Sequence, residues 1–397
     1  MVTLADVEAA RSRIRESIRV TPAAYSENLS HESGNTVLLK LENLHVTGSH
    51  KERGALNGML CMSEQQKARG VIAASAGNHA QGVAHHAGRL GIHATIVMPL
   101  YTPVVKVSAT QGWGAEVILH GENFDEALAE ARRRAQESGA TFLHAFNDPA
   151  VIAGQGTVGL ELLDQIPDLE AVVVPVGGGG LIGGLGCAIK ERRPQVRVIG
   201  VEPAALPSMQ AALAMHQPVV VPAKATIADG VAVRCVGDLT LALTEKYVDE
   251  MVTVDDEEIA MAILRLLEKQ KTVAEGAGAV GVAAMLQHRT GLSGKRVAVL
   301  ITGGNIDVTL LAHIIERGLV KDGRLVRLRI TLSDHPGGLQ RLTTVIAQQH
   351  ANIVEVIHNR TYFGVSLGEA KIDVTMETRG AGHAEELMAN LKLAGYI

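Results

Sequence analysis

Lys51 lies in the run Thr47-Gly48-Ser49-His50-Lys51-Glu52-Arg53-Gly54-Ala55, where a strand is expected to end and a helix to open. A lysine held in such a turn, with Gly48 and Ser49 just before it, is placed to attack a carbonyl and form an imine. Four glycines, Gly177, Gly178, Gly179 and Gly180, follow the apolar segment Ala171 to Val176 and lead into Leu181-Ile182-Gly183-Gly184. A glycine run between a buried strand and a helix lets several backbone amides converge on an anion, and the helix N-terminus adds partial positive charge. Two more polar stretches follow apolar ones: Thr302-Gly303-Gly304-Asn305 after Val297 to Ile301, and Ser75-Ala76-Gly77-Asn78-His79-Ala80-Gln81-Gly82 after Val71 to Ala74. In the second, free backbone amides over Ser75, Ala76, Gly77, Asn78 and His79, with the Ser75 and Asn78 side chains, can hold a carboxylate and a ring hydroxyl. His79 is a poor general base there, because a helix N-terminus disfavours its protonated form.

Each segment alone has a plainer reading: solvated lysine charge, a tight helix–sheet turn, a capped helix, a strand-end threonine. Together they describe an imine-forming lysine, a phosphate cradle and a ring-nitrogen partner, which are the needs of a pyridoxal phosphate enzyme. A neutral hydroxyl at Thr302 would leave a pyridine nitrogen largely unprotonated, a weak electron sink that favours prompt loss of a β-substituent. A dinucleotide site competes for the glycines. It lacks support, since no GxGxxG opens an early βαβ unit and no acidic residue stands in the expected place on a following strand.

These segments need a scaffold that presents strand ends. Thr3 and Asp6 read as a helix start, with Leu4, Val7, Ile14 and Ile18 keeping a helical stripe. From Thr36 a short apolar run alternates with an amphipathic stretch: Val37 to Leu41, Val71 to Ala74, Ala94 to Met98, Val117 to Leu119, Val172 to Val176, Val198 to Val201 and Val297 to Ile301. Continuous β-branched runs suit strands buried on both faces, and helices between them imply parallel pairing. The fold class is α/β, with open twisted parallel sheets. Near Asp322-Gly323 the rhythm changes to a strand (Leu325 to Leu332), a Pro-Gly turn into a helix ending near His350, strands at Asn352 to Thr361 and Val365 to Thr375, and a helix from Ala381 to Leu393. That order is expected to be a ferredoxin-like α+β unit that stops before or within its last strand, with the boundary between about residues 320 and 325.

The 397 residues are 47% hydrophobic and 20% charged, ample for a large core, and suggest two or three domains. A net charge of −5 and 3% aromatics favour neither nucleic acid nor an anionic membrane as partner. Cys61, Cys187 and Cys235 are scattered without CxxC spacing, which suggests a reducing compartment and no metal cage. With neither a signal-peptide pattern nor a membrane-length apolar run, a cytoplasmic location is expected.

The segments TGSHKERGALN, SAGNHAQGVA, AGQGT (Ala153 to Thr157), PVGGGGLIGG, GVEP (Gly200 to Pro203), ADGVAV (Ala228 to Val233), EGAGA (Glu275 to Ala279) and TGGN lie between Thr47 and Asn305 and carry a resemblance that extends over about residues 5 to 320. As a set they resemble the fold-type-II pyridoxal phosphate enzymes, with the tryptophan-synthase-β-like fold, in the branch of the threonine/serine dehydratases and serine racemases. The resemblance implies a catalytic domain over 1–322, with a small subdomain near 48–145 inserted in a larger one. It implies that Lys51 holds the cofactor as an imine and moves the α-proton, and that Asn78 bonds the ring oxygen. Gly177 to Gly180 and Leu181 would hold the phosphate, Thr302 would face the ring nitrogen, and the Ser75-to-His79 loop would clasp the substrate carboxylate. The implied reaction is β-elimination of L-threonine or L-serine to 2-oxobutanoate or pyruvate with ammonia. The proton for the departing hydroxyl would come from the cofactor phosphate, no acidic side chain being evident nearby. Serine racemase and 3-hydroxyaspartate dehydratase are the alternatives within the fold, and an amino-acid sensor with a silent catalytic domain is the alternative outside it.

Three positions depart from the family pattern. His50 stands where Phe is usual and would set a polar or cationic group beside the phosphate; Ala76 replaces the Ser that serves racemases as a second base; Thr302 replaces Ser. At a divalent site known in racemase-like members Glu202 matches, but Ser208 occupies the place of a second carboxylate, so no metal is expected. Over 323–397, DHPGGL (Asp334 to Leu339) and ANI (Ala351 to Ile353) resemble an ACT regulatory domain. That implies an amino-acid or nucleotide effector, a homotetramer or homodimer, and a possible place in isoleucine biosynthesis.

Overall fold

The computed structural model describes residues 1–360 and 364–397. It divides into two compact units, Met1–Asp307 and Val308–Ile397. The first helix, Leu4–Ile14, opens as its sequence dictates: Asp6 Oδ2 accepts the Thr3 amide at 2.9 Å while the Thr3 hydroxyl accepts the Asp6 amide, a reciprocal capping box. Ile18 lies beyond the helix end yet is buried, so its place on the expected stripe comes from packing rather than from helical periodicity.

The strands are β1 (Ala23–Tyr25), β2 (Thr36–Leu41), β3 (Val71–Ala74), β4 (Ala94–Met98), β5 (Glu116–Leu119), β6 (Thr141–Phe142), β7 (Ala171–Pro175), β8 (Arg197–Pro203), β9 (Glu250–Val254), β10 (Arg296–Ile301), β11 (Leu325–Ser333), β12 (Asn352–Asn359) and β13 (Glu369–Glu377). A six-stranded sheet has the order β1-β2-β10-β7-β8-β9, parallel except for the edge pair β1–β2. A second sheet, β5-β4-β3-β6, is parallel throughout. Its central strands β3 and β4, and β7 in the larger sheet, are buried at every residue, as helices on both faces require. Of the three strands the apolar runs did not announce, β1 and β6 are very short. The third, β9, is a half-buried edge strand whose sequence Glu-Met-Val-Thr-Val mixes polar and apolar residues.

The segment that carries Lys51 is pinned from beneath by buried charge. Arg53, in the first turn of the helix Lys51–Leu60, sends Nε to Glu42 Oε2 at 2.7 Å and one terminal nitrogen to Glu161 Oε1 at 2.6 Å. Its other terminal nitrogen reaches both carboxylates at 2.9 Å. Lys40 Nζ, in β2, adds a bond to Glu161 Oε2 at 2.6 Å. Two cations and two anions thus cancel within one network that ties the lysine helix to β2 and to the helix Pro149–Gln165. Burial by itself would raise the Glu42 carboxyl, but the charges of Arg53 and His45 outweigh it and hold the group well below its ordinary range.

The second unit holds the helix Val308–Lys321 and the antiparallel sheet β11-β13-β12, with helices Gly338–Gln348 and Ala381–Leu393. Ile330, Leu342, Ile346, Ile372, Val374 and Leu387 form its core. A bidentate pair, Arg329 to Asp373 at 2.6 and 2.8 Å, crosses between β11 and β13. The division at 307/308 falls one helix earlier than the change of sequence rhythm near 322, because the helix Val308–Lys321 packs on β11. The strand expected over Val365 to Thr375 begins at Glu369, past the turn at Gly364 and Gly368, both at positive φ. The strand end expected at Thr361 lies outside the described residues.

Removing one partner of the Arg53 network leaves a buried charge uncompensated. Glu42→Gln is therefore expected to lower the stability of the first unit by about 3–5 kcal/mol at neutral pH, read by urea unfolding. Because the Glu42 pKa is depressed on folding, its contribution is present above the ordinary value of 4.5 and is lost as pH falls through the folded value, so the gap between wild type and variant should narrow in acid.

Candidate active site

Lys51 opens its helix as expected, but β2 ends at Leu41, so the lysine follows a loop rather than a strand. Gly48 makes that loop possible. Its φ is +75°, and a Cβ there would lie 2.5 Å from Asn305 Oδ1. Three contacts stitch the loop to the segment after β10: Ser49 bridges Gly303, the His50 amide donates to Thr302 O at 3.0 Å, and the Gly304 amide donates to Gly48 O at 2.9 Å. Two of the four stretches singled out from the sequence are thereby one surface. His50 Nδ1 also sits 3.0 Å from the Thr302 carbonyl, and burial with the Lys51 charge pushes its pKa down to about 3. Of the polar or cationic group expected at this position, the structure gives the polar one, a neutral ring held on a backbone carbonyl.

Partial burial pushes the Lys51 pKa down to about 8, with the nearby Glu275 charge opposing the shift. Its Nζ lies 3.3 Å from Ala145 O. The same loop reaches the glycine run. A Cβ on Gly178 would fall 2.2 Å from the Phe146 ring, and one on Gly180 would fall 2.8 Å from Phe146 O. His144 fixes this loop by accepting the amides of Phe146 and Asn147 at Nδ1, 3.3 and 3.0 Å away, with its ring edge-on to Phe146. Gly179 has φ +88° and precedes the helix Gly180–Arg192. The amides of Gly177, Gly178, Gly179, Gly180 and Leu181 enter no hydrogen bond among the described residues, although all but Gly177 are buried residues. Buried amides without protein partners at a helix N-terminus have the donor arrangement that suits an anion.

Asn78 is the first residue of the helix Asn78–Leu90. Its Nδ2 donates to Glu275 Oε1 at 2.6 Å and its Oδ1 accepts from Asn305 Nδ2 at 2.8 Å, leaving one amide proton for another acceptor. In the loop before it, Ser75 and Gly77 spend their amides on Val97 O and Ser75 Oγ, whereas those of Ala76, Asn78 and His79 enter no hydrogen bond among the described residues. The His79 ring is buried with Nε2 donating to Leu143 O at 3.1 Å, and burial pushes its pKa down to about 3, so it is uncharged at neutral pH. The Thr302 hydroxyl makes only a long bond of 3.4 Å to Ala277 O, and its proton can turn to a better acceptor.

Glu275 was missed. The sequence reading found no acidic group beside Lys51, yet this carboxylate is buried, lies against Asn78 and Gly303, and has its pKa pushed up to about 7 by burial. The signal was present in the EGAGA segment, where a carboxylate precedes the helix Gly276–Leu286. Only the fold brings it across to Lys51. Glu202, by contrast, is turned into the start of the helix Ser208–Met215, where the Met209 and Gln210 amides donate to it at 2.7 and 3.0 Å.

A family profile described as "Pyridoxal-phosphate dependent enzyme" matches residues 14–303. The chain belongs to that family. It is 52% identical over 396 residues to the L-threonine ammonia-lyase of Thermotoga maritima, covering 100% of this chain and 98% of the relative. It is 48% identical over 392 residues to the L-threonine ammonia-lyase of Geobacter sulfurreducens, covering 98% and 97%. Among solved structures, threonine deaminase isoform 2 of Solanum lycopersicum superposes with a TM-score of 0.75 at 37% identity, over 79% of this chain and 91% of that one. Maize serine racemase superposes with a TM-score of 0.76 at 32% identity, over 81% and 98%. Pyridoxal phosphate is the cofactor of this pyridoxal-phosphate dependent enzyme. The residues present fit it: unpartnered amides for the phosphate, a lysine of lowered pKa for the aldehyde, and a loosely held hydroxyl.

Imine formation requires the free amine. Uptake of pyridoxal phosphate by the cofactor-free protein should therefore quicken as pH rises through about 8, the Lys51 value, well below the ordinary 10.5. The growth of visible imine absorbance after mixing at a series of pH values measures this.

Proposed function

We propose that the chain catalyses β-elimination of L-threonine, and of L-serine, releasing ammonia and 2-oxobutanoate or pyruvate. The observation that carries the reading is the convergence of Lys51, the free amides of the glycine run and the Thr302 hydroxyl, in a chain about half identical to two L-threonine ammonia-lyases over nearly its whole length. Bound pyridoxal phosphate supplies an electron sink for the Cα electrons. The amides of Gly177 through Leu181 would hold its phosphate, and the remaining Asn78 amide proton and the Thr302 hydroxyl would hold its ring. The amides of Ala76, Asn78 and His79 hold the substrate carboxylate, with Ser75 and Gly77 shaping the loop that aims them. The free Lys51 amine would take the Cα proton at Nζ; a pKa near neutrality suits an amine to that task. The β-hydroxyl leaves as water, and the released enamine tautomerises and hydrolyses. Ala76 offers no proton-transferring group on the other face, which opposes racemisation.

The wild-type protein should form 2-oxobutanoate from L-threonine, and Lys51→Ala should lose the visible imine band and all measurable turnover. Borohydride reduction and peptide mapping should place the pyridoxyl tag on Lys51. A wild type inactive on L-threonine, or a tag on another amine, would overturn the reading.

The second unit reads as an ACT-like regulatory domain over 323–397, on the strength of its strand-helix-strand-strand-helix order and the DHPGGL turn. An open edge on its sheet suits pairing between copies, so the protein acts as a homotetramer or homodimer in the cytoplasm, its lyase activity set by a small effector. A place in isoleucine biosynthesis gains support from the 41% identity to a biosynthetic L-threonine dehydratase of Haemophilus influenzae. Light scattering should return a dimer or tetramer, and isoleucine, valine or AMP should change the rate on L-threonine. A monomer with and without ligand would contradict the assembly.

A further inference from the structure

Glu52, immediately after the proposed imine-forming lysine, faces away from the proposed cofactor site toward the helix Asn78–Leu90, where His85 and His86 meet it. Glu52 and His86 are 2% and 1% exposed, and His85 is half-buried. One ligand atom from each of the three side chains lies within 4.8 Å of the others. Among the described residues the Nε2 atoms of His85 and His86 are both buried without a hydrogen-bond partner. The Glu52 Oε2 atom is 3.5 Å from His86 Nε2, close enough for attraction but outside hydrogen-bond geometry. The other Glu52 oxygen accepts the Thr47 amide, which fixes the carboxylate. The His85 ring stands edge-on to Trp113 at 4.6 Å and to His86 at 4.7 Å.

We propose that Glu52, His85 and His86 bind one divalent transition-metal ion of the zinc type. The plain alternative, an ion pair of Glu52 with His86, leaves the buried Nε2 of His85 without a partner, which is destabilising. A cation satisfies both imidazole lone pairs and the carboxylate at once. Two imidazole nitrogens and one carboxylate oxygen suit zinc and its borderline neighbours, whereas magnesium and calcium prefer oxygen throughout. Bonds of about 2.0–2.2 Å would draw the three atoms inward. The half-exposed flank of His85 leaves the fourth position to water. The ion would staple the first turn of the Lys51 helix to the helix that begins at Asn78, giving the site a structural support that the expectation of a metal-free protein left out.

The test uses holoenzyme stripped with a chelator and gel-filtered, then titrated with Zn2+ by calorimetry and with Co2+ as an optical probe. One ion should bind per chain, raise the unfolding temperature, and, for Co2+, give visible ligand-field bands to the red of the cofactor. His85→Phe keeps the contact with Trp113 and the Glu52–His86 pair but removes one ligand. It should bind Zn2+ at least about tenfold more weakly, lose the thermal shift, and unfold near the wild-type temperature when no metal is present. Glu52→Gln, with its fold checked by circular dichroism, should lose binding likewise. Absence of stoichiometric binding in the wild type, or undiminished binding in His85→Phe, overturns the proposal. Because both readouts are independent of turnover, they stand or fall apart from the lyase reading.

Discussion

Arg53 is buried between two carboxylates, and the position of Lys51 depends on that arrangement. A guanidinium presents a planar fork that two carboxylates can grip from opposite sides, so Glu42 and Glu161 fix both the height and the rotation of the helix start. Lys40 supplies the second positive charge, without which Glu161 would face one cation with two acceptor oxygens in an apolar interior. Such a network contributes little net stability compared with hydrophobic packing, since desolvation offsets attraction. What it contributes is geometry: a lysine two residues away that cannot drift.

Above this network the site is built from groups that the fold leaves unpaired. Backbone amides in a folded protein nearly all find partners, yet those of residues 177–181 and of Ala76, Asn78 and His79 do not among the described residues. Glycine makes the first set possible, because any side chain at Gly178 or Gly180 would collide with Phe146. The ionisable groups are tuned in the same sense. Burial brings Lys51 down to about 8 and Glu275 up to about 7, so a proton is held with similar strength by an amine and a carboxyl in one enclosed site. His50, His79 and His144, by contrast, are pushed well below neutrality and stay uncharged, the first two donating to backbone carbonyls and the third accepting backbone amides.

Local chemistry made much of this legible in one dimension. The Thr3–Asp6 capping box, the β-branched runs of β3, β4, β7 and β10, and the glycine run are signals whose physics spans a few residues, and each stands where the sequence places it. The edge strand β9 was not legible, because an edge needs no continuous apolar run. Nor was the helix Val308–Lys321 assignable to a unit from its own pattern, since its partner β11 decides where it belongs.

The sequence by itself determined the α/β class, the lysine, the glycine run after β7 and the hydroxyl after β10, because residue type and short spacing carry that chemistry. Only the tertiary structure decided that Glu275 reaches Asn78 across 197 positions, that His50 turns to the Thr302 carbonyl 252 positions away, and that Arg53 is locked by Glu42 and Glu161. Burial and charge pairing act between atoms close in space, and a linear chain leaves that proximity unspecified until it folds.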